Sequence, residues 1–411
     1  MNQLFQKWKF PAMLLTGIGI SGLGDFIYLV AINLLVLQMT GSAAAVAGLW
    51  IVGPITSILI NGWSGSIIDR SNKRKIMIIT DIVRAIAVAI IPLLSSIWSI
   101  YALLFIISIA KSFFNPTSTT YIAALVPKEQ RKTFNSIHSL VSSGAFIVGP
   151  AIAGVLFMVG SVEIAIYCNA ISFIISAIVI ALLPNIDGSK SQTTKRLQLK
   201  NLLEDWKEVI NFSKKETFVM VIYSSFLLFT IITLALDSQE VVFAQRVIGL
   251  SEIEYSLLIS ITGIGYTTGA LVVVLVSRFL SIRHLIGVGL VMLAIGYFIY
   301  SVSSTFLMAT IGFVILGFFN AFSNTGFSTF YQNNIPLDIM GRVTSIVSVL
   351  QSSVSVIFLL IIGILGDLLP LRYTIVTLTI ISVLLAVFVY MLVLQPKQKI
   401  YFSESTSVDV N

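Results

Sequence analysis

The amino-acid sequence predicts an all-α integral membrane protein, with twelve transmembrane helices arranged as two six-helix bundles. Composition is the first ground. Of 411 residues, 57% are hydrophobic and only 10% are charged, whereas soluble domains carry about 25% charged residues. The mean hydropathy is +0.99. The second ground is a series of apolar windows, each long enough to cross a bilayer. The third is the distribution of lysine and arginine, which collects on one side of those windows.

Windows of about 20 apolar residues fall at 13–37, 45–68, 76–97, 99–124, 136–159, 163–183, 217–241, 255–277, 284–303, 306–330, 344–366 and 372–394. Basic residues precede the first window and give it the look of a signal peptide. It continues apolar to Leu37 with no convincing small-residue cleavage site, so it is read as a retained span. One long hydrophilic stretch, 184–216, parts the spans six and six. Its second half, "LKNLLEDWKEVINF", spaces apolar residues as an interfacial helix does. The predicted organisation is a bundle over 1–183, a cytoplasmic linker over 184–216, a second bundle over 217–395 and a cytoplasmic tail over 396–411.

With the N-terminus inside, 21 of the 25 basic residues fall on inner segments, only Arg246 and Arg372 fall outside, and Arg84 and Lys111 lie within spans. This bias orients the chain with both termini cytoplasmic, in a cell membrane and most simply a bacterial plasma membrane. It also accounts for the net charge of +7 by attraction to anionic lipid, so no nucleic-acid partner is called for. The single cysteine, Cys168, excludes an intrachain disulfide and a cysteine metal cluster, and the two histidines, His138 and His284, form no motif. No "GxxxxGK[ST]" loop is present, so ATP is not the expected energy source. The acids of the outer segments (Glu163, Glu240, Glu252, Glu254 and Asp367) are scattered without histidine or cysteine beside them, which argues against a membrane-embedded enzyme.

The halves repeat weakly at an offset of about 209 residues. "VPKEQRKTFNSI" at 126–137 lies over "IPLDIMGRVTSI" at 335–346, Asn115 over Asn324, Thr120 over Thr329 and Gly154 over Gly363. A parallel repeat of two six-span halves is the layout of a rocking transporter with its site between the halves, and neither a channel nor a receptor needs it.

The stretch "GSIIDRSNKRK", 65–75, joins spans two and three and carries Gly65, Asp69, Arg70, Lys73 and Arg74. It resembles the loop motif of the major facilitator superfamily, a resemblance that covers essentially the whole chain. Asn72 stands where that motif has a second glycine, and asparagine tolerates a left-handed turn. The resemblance implies that this cluster latches the cytoplasmic gate, with Gly65 letting neighbouring helices approach. The second half, "SRFLSIRHL", lacks the Asp-Arg pair. In span five, "GPAIAG" with the preceding Gly144 resembles the signature of the antiporter branches. Pro150 removes a backbone donor and bends the helix, while Gly149 and Gly154 allow tight packing against a neighbour in the other half. Ordinary small-residue packing is the competing reading. Within the superfamily, "GDFIYLVAINLLVLQMTGSA", "FFNPTSTTYIAALVPKEQR" and "MGRVTSI" resemble the macrolide-efflux-like drug:proton antiporters.

Ionisable residues inside spans are costly and mark function. Asp25, near the middle of span one, is the expected proton carrier; a fixed ion pair with Lys111 of span four is the alternative. The two combine if protonation of Asp25 frees Lys111 for an anionic substrate. Asp237 of span seven holds roughly the equivalent place in the second half, either as a second carrier or as a solvated residue at the outer mouth. Asp81 and Arg84, at i, i+3, are expected to brace each other near the cytoplasmic gate. The expected substrate cavity is apolar and aromatic with scattered amides: Tyr28, Asn33, Lys111, Phe114, Asn115, Tyr121, Phe229, Asn320, Asn324 and Tyr331.

The sequence therefore predicts a secondary exporter of amphipathic, drug- or macrolide-like molecules in exchange for protons. It is expected to have no bound cofactor and to draw on the proton gradient, and the resemblance implies a monomer in membrane lipid. A lipid-linked or metabolite transporter, or a flippase of the same fold, is the alternative.

Overall fold

A computed structural model describes residues 2–127, 130–186, 199–276 and 279–402. Lys128, Lys190, Lys195, Arg196 and Arg278, which support the predicted orientation, lie outside the described residues, as do linker residues 187–198 and tail residues 403–411. Within bilayer hydrocarbon every backbone amide and carbonyl must be satisfied internally, and the chain meets this demand with helices. They are α1 (Asn2–Thr40), α2 (Ala43–Arg70), α3 (Lys73–Ile90), α4 (Ile97–Leu125), α5 (Arg131–Val159), α6 (Val162–Ala181), α7 (Leu199–Lys215), α8 (Thr217–Ser238), α9 (Glu240–Val242), α10 (Glu252–Val276), α11 (Ile282–Val302), α12 (Phe306–Asn334), α13 (Leu337–Leu368) and α14 (Leu371–Leu394). Among the described residues, twelve of these are long and apolar enough to cross a membrane.

Local chemistry sets the breaks. Gly41 at φ 60° and Gly249 at φ 83° supply the left-handed residues that end α1 and the π-turn Phe243–Ile248. Ser42 caps α2 by accepting from the Ala45 amide at 3.1 Å. Ser251 and Glu254 cap α10 reciprocally, each accepting from the other's backbone amide. The helices exceed the predicted spans where polar residues continue the helix past the apolar window. The first apolar stretch runs Trp8–Thr40 inside a helix that begins at Asn2, and α13 begins at Leu337 rather than 344.

Packing divides the chain into two compact units, Met1–Lys195 with Leu250–Ser260, and Arg196–Gly249 with Ile261–Asn411. In the first unit α1 packs against α5 and α6, and α3 against α4 and α6. Its core gathers Leu14, Met77, Phe114, Tyr121, Phe134 and Ile180. In the second unit α11 is clasped between α12 and α14. A methyl on Gly296 would fall 2.8 Å from the Gly312 carbonyl, so the α11 and α12 backbones touch. The linker helix α7 is docked on α13 of the second unit, with Val209 buried and Glu208 paired to Arg342.

Candidate functional site

Asp25 and Lys111 meet in the first unit. The Lys111 Nζ lies 3.6 Å from an Asp25 carboxylate oxygen, and both side chains keep solvent access, 55% and 32% respectively. The separation exceeds hydrogen-bond reach, so this is a loose ion pair whose side chains are left partly exposed. On the other side of Lys111 a cavity of about 570 Å³ opens between α2 and α4, lined by Ser57, Ser64, Ser108, Ser112 and Asn115. The four serines are site residues that reading the sequence missed. Ser108, Lys111 or Ser112, and Asn115 recur at helical spacing along α4, a polar stripe that an apolar span does not need.

Several expected cavity residues are elsewhere. Phe114 and Tyr121 belong to the core of the first unit, with exposures of 4% and 0%, and Phe229 is as deeply buried in the second. Tyr121 donates instead to the Pro184 carbonyl at 2.7 Å. Asn33 is buried too: it accepts from the Trp50 indole at 3.1 Å and donates to the Leu29 carbonyl at 2.7 Å. Tyr28, on α1 with Asp25, holds a sealed hydroxyl with no hydrogen-bond partner among the described residues. Of the expected lining, Lys111 and Asn115 are thus on a cavity wall of the first unit.

Asp81 and Arg84 brace each other as an ion pair, sealed inside the first unit. They are 0% and 3% exposed, and the Arg84 guanidinium is sandwiched 4.4 Å from the Phe114 ring and 4.2 Å from the Phe173 ring. A buried pair held by aromatic faces is a structural strut. The gate motif differs in detail as well. Asn72 is extended, at φ −69° and ψ 111°, and caps α3 by accepting from the Lys75 amide, so no left-handed residue is needed there. Its amide and Arg74 tie the turn to the end of α6, donating to Asn185 at 2.7 Å and to the Leu183 carbonyl at 2.5 Å. Lys73 begins α3. Gly65 meets nothing within 4 Å and lines the polar cavity instead of a tight helix contact. The side chains of Asp69 and Arg70 lie outside the described residues.

The α5 signature divides into two uses. A methyl on Gly149 would fall 2.6 Å from Phe26 Cβ and 3.2 Å from the Leu23 carbonyl, so its close partner is α1 in the same unit. Gly154 faces Ser256, in the first turns of α10 that belong to this unit. There Ser256 donates to the Pro150 carbonyl at 2.6 Å and Ser260 to the Ile147 carbonyl at 2.5 Å. Gly144 meets nothing and lines an apolar groove of about 600 Å³ between α1 and α5. The two glycines predict opposite responses. Alanine improves helix propensity by about 1 kcal/mol at either, but overpacking at 149 costs about 1–3 kcal/mol. Gly144→Ala is expected to raise the thermal unfolding midpoint and Gly149→Ala to lower it.

In the second unit Asp237 is partly buried, and the buried Tyr297 hydroxyl donates to it at 2.7 Å. Glu240, one turn on, has a carboxylate oxygen sealed from solvent and unpartnered among the described residues. Burial, with the Asp237 charge adding to it, pushes the Glu240 carboxyl well above the usual carboxylate range. A raised acid stabilises the fold most below its unfolded pKa of about 4.3 and loses that contribution as pH rises through the folded value. Glu240→Gln is therefore expected to gain stability over wild type progressively with pH, read as the difference between their unfolding midpoints. Asn320 is hydrogen-bonded to Tyr266 and to Asn324, whose amide also donates to the Asn320 carbonyl at 3.0 Å. Tyr331 closes an aromatic group in which Phe226 and Phe327 stack at 3.7 Å.

The profile of the Major Facilitator Superfamily matches residues 14–358 and 217–407. The chain belongs to that superfamily. A member of this family is a transporter and not an enzyme, and this chain is a multi-pass membrane protein. Among curated proteins it is 28% identical over 213 residues to the uncharacterized MFS-type transporter YfiS of Bacillus subtilis, covering 52% of this chain and 51% of YfiS. It is 26% identical over 184 residues to macrolide efflux protein A of Streptococcus pyogenes, covering 43% of this chain and 45% of that protein. The chain thus spans about half the length of these relatives. The crystal structure of the nucleoside transporter NupG superposes with a TM-score of 0.74 at 14% identity, over 94% of this chain and 99% of NupG. That likeness establishes the major facilitator fold.

Proposed function

We propose that this superfamily member is a secondary exporter, moving amphipathic small molecules out of the cell in exchange for protons by alternating access. The observation that carries the reading is the loose Asp25–Lys111 pair, two opposite charges in the middle of two spans with solvent access. A static strut would be sealed, as Asp81–Arg84 is; an unsealed carboxylate in a span is free to take up and release a proton. When Asp25 is ionised it holds Lys111 by charge, and when it is protonated Lys111 is released toward the polar cavity. Similarity to a macrolide efflux protein supports outward transport. The basic bias of the sequence supports cytoplasmic termini in a bacterial plasma membrane, and the protein acts as a monomer driven by the proton gradient, with no bound cofactor.

The test uses everted vesicles with an imposed proton gradient and a pH-sensitive dye, to which macrolides, cationic dyes and lipophilic anions are added in turn. Exported compounds are expected to dissipate the gradient only when the protein is present. Export of the panel without proton flux would overturn the antiport reading and favour a lipid or metabolite cargo.

A further inference from the structure

We infer that the serine-lined cavity between α2 and α4 binds the anionic head of the cargo, a carboxylate or phosphate carried on an apolar body, with Lys111 as its counter-charge. The inference rests on the exporter reading for its biological use, and on the first unit alone for its chemistry.

Among the described residues the lining is hydroxyl-rich and contains one charge, which is positive: Ser57, Ser64, Ser108 and Ser112 share the space with Lys111, and no described acid borders it. Asp25 is the acid paired with Lys111, but at 3.6 Å it makes no hydrogen bond and it lies outside the cavity lining. An ammonium carries three donors, and one at 55% exposure has donors to give a ligand. Gly53 and Gly65 border the same space, and a methyl at either would meet nothing within 4 Å, so the backbone leaves the floor open. A volume of about 570 Å³ suits a small organic molecule. Next in sequence to Ser64 and Ser112, Trp63 and Phe113 meet edge to face at 5.8 Å and hold α2 against α4. An amphipathic cation gains nothing here, since Lys111 repels it. The Asp25–Lys111 geometry thus names the class: an anion replaces Asp25 as the partner of Lys111.

The experiment measures equilibrium binding to the full chain in lipid nanodiscs, with no gradient, using four probes on one naphthalene body. These are 1-naphthoate, 1-naphthyl phosphate, 1-naphthylmethylammonium and 1-naphthalenemethanol. At least one anion is expected to bind tenfold or more tighter than the ammonium and the alcohol, and the order of carboxylate and phosphate identifies the head group. Lys111→Gln is expected to remove that preference and Lys111→Arg to keep it. Should Lys111→Gln not fold, Ser108→Leu fills the cavity without touching the ion pair and is expected to weaken the favoured anion at least tenfold. Ammonium binding equal to that of the anions, or an anion preference that survives Lys111→Gln or Ser108→Leu, would overturn the site. An anion bound through Lys111 but not exported leaves the site standing and removes the exporter reading. Export indifferent to head group, with no anion preference in binding, does the reverse.

Discussion

Arg84→Met is expected to destabilise the first unit by about 3–5 kcal/mol, the cost of stranding one member of a buried ion pair. The Asp81 carboxylate is 0% exposed, and Arg84 is the partner that compensates it. Methionine fills a similar volume between the Phe114 and Phe173 rings but carries no charge. The double variant Asp81→Leu/Arg84→Met is expected to recover most of the loss, because a buried pair exchanged for well-packed apolar residues is often neutral. A thiol-reactive dye reads this directly, since Cys168, the one cysteine, sits half-buried on α6 in the same unit. For a domain of about 200 residues each kcal/mol moves the midpoint by about 2–4 °C, so the single variant should melt roughly 10 °C lower. A double variant no more stable than the single would show that the charges do more than cancel each other.

Asp25→Asn is expected to reduce substrate-driven proton flux in everted vesicles to the level of vesicles lacking the protein. Asparagine keeps the size and polarity of the side chain and removes its proton exchange. Binding of an anionic probe should survive, because Lys111 loses only a competitor. Asp237→Asn is expected to weaken coupling less, since its hydrogen bond from Tyr297 can also be accepted by an amide oxygen. Flux that persists in Asp25→Asn but fails in Asp237→Asn would move the carrier to the second unit.

The spans were legible because about 20 consecutive apolar residues have few alternatives to a membrane helix. Facing was not legible for the same reason. When nearly every residue of a span is apolar, no stripe marks the side turned inward, and so Phe114, Tyr121 and Phe229 read as cavity walls while the structure packs them in cores. Polar residues gave better guidance. Asp25 with Lys111 and Asp81 with Arg84 pair as their charges suggest, and the α4 stripe of Ser108, Ser112 and Asn115 was present in the spacing. What no local pattern supplies is the close approach of Gly149 to α1 or the Tyr297 bond to Asp237, since both depend on residues far away in sequence meeting across a bundle.

The solitary thiol on α6 has a practical meaning for spectroscopy. One substitution, Cys168→Ser, yields a cysteine-free background into which a label can be placed in each unit at will. The distance distribution between two such labels, recorded in lipid with the pH stepped across the working range, would show directly whether protons redistribute the transporter among its states.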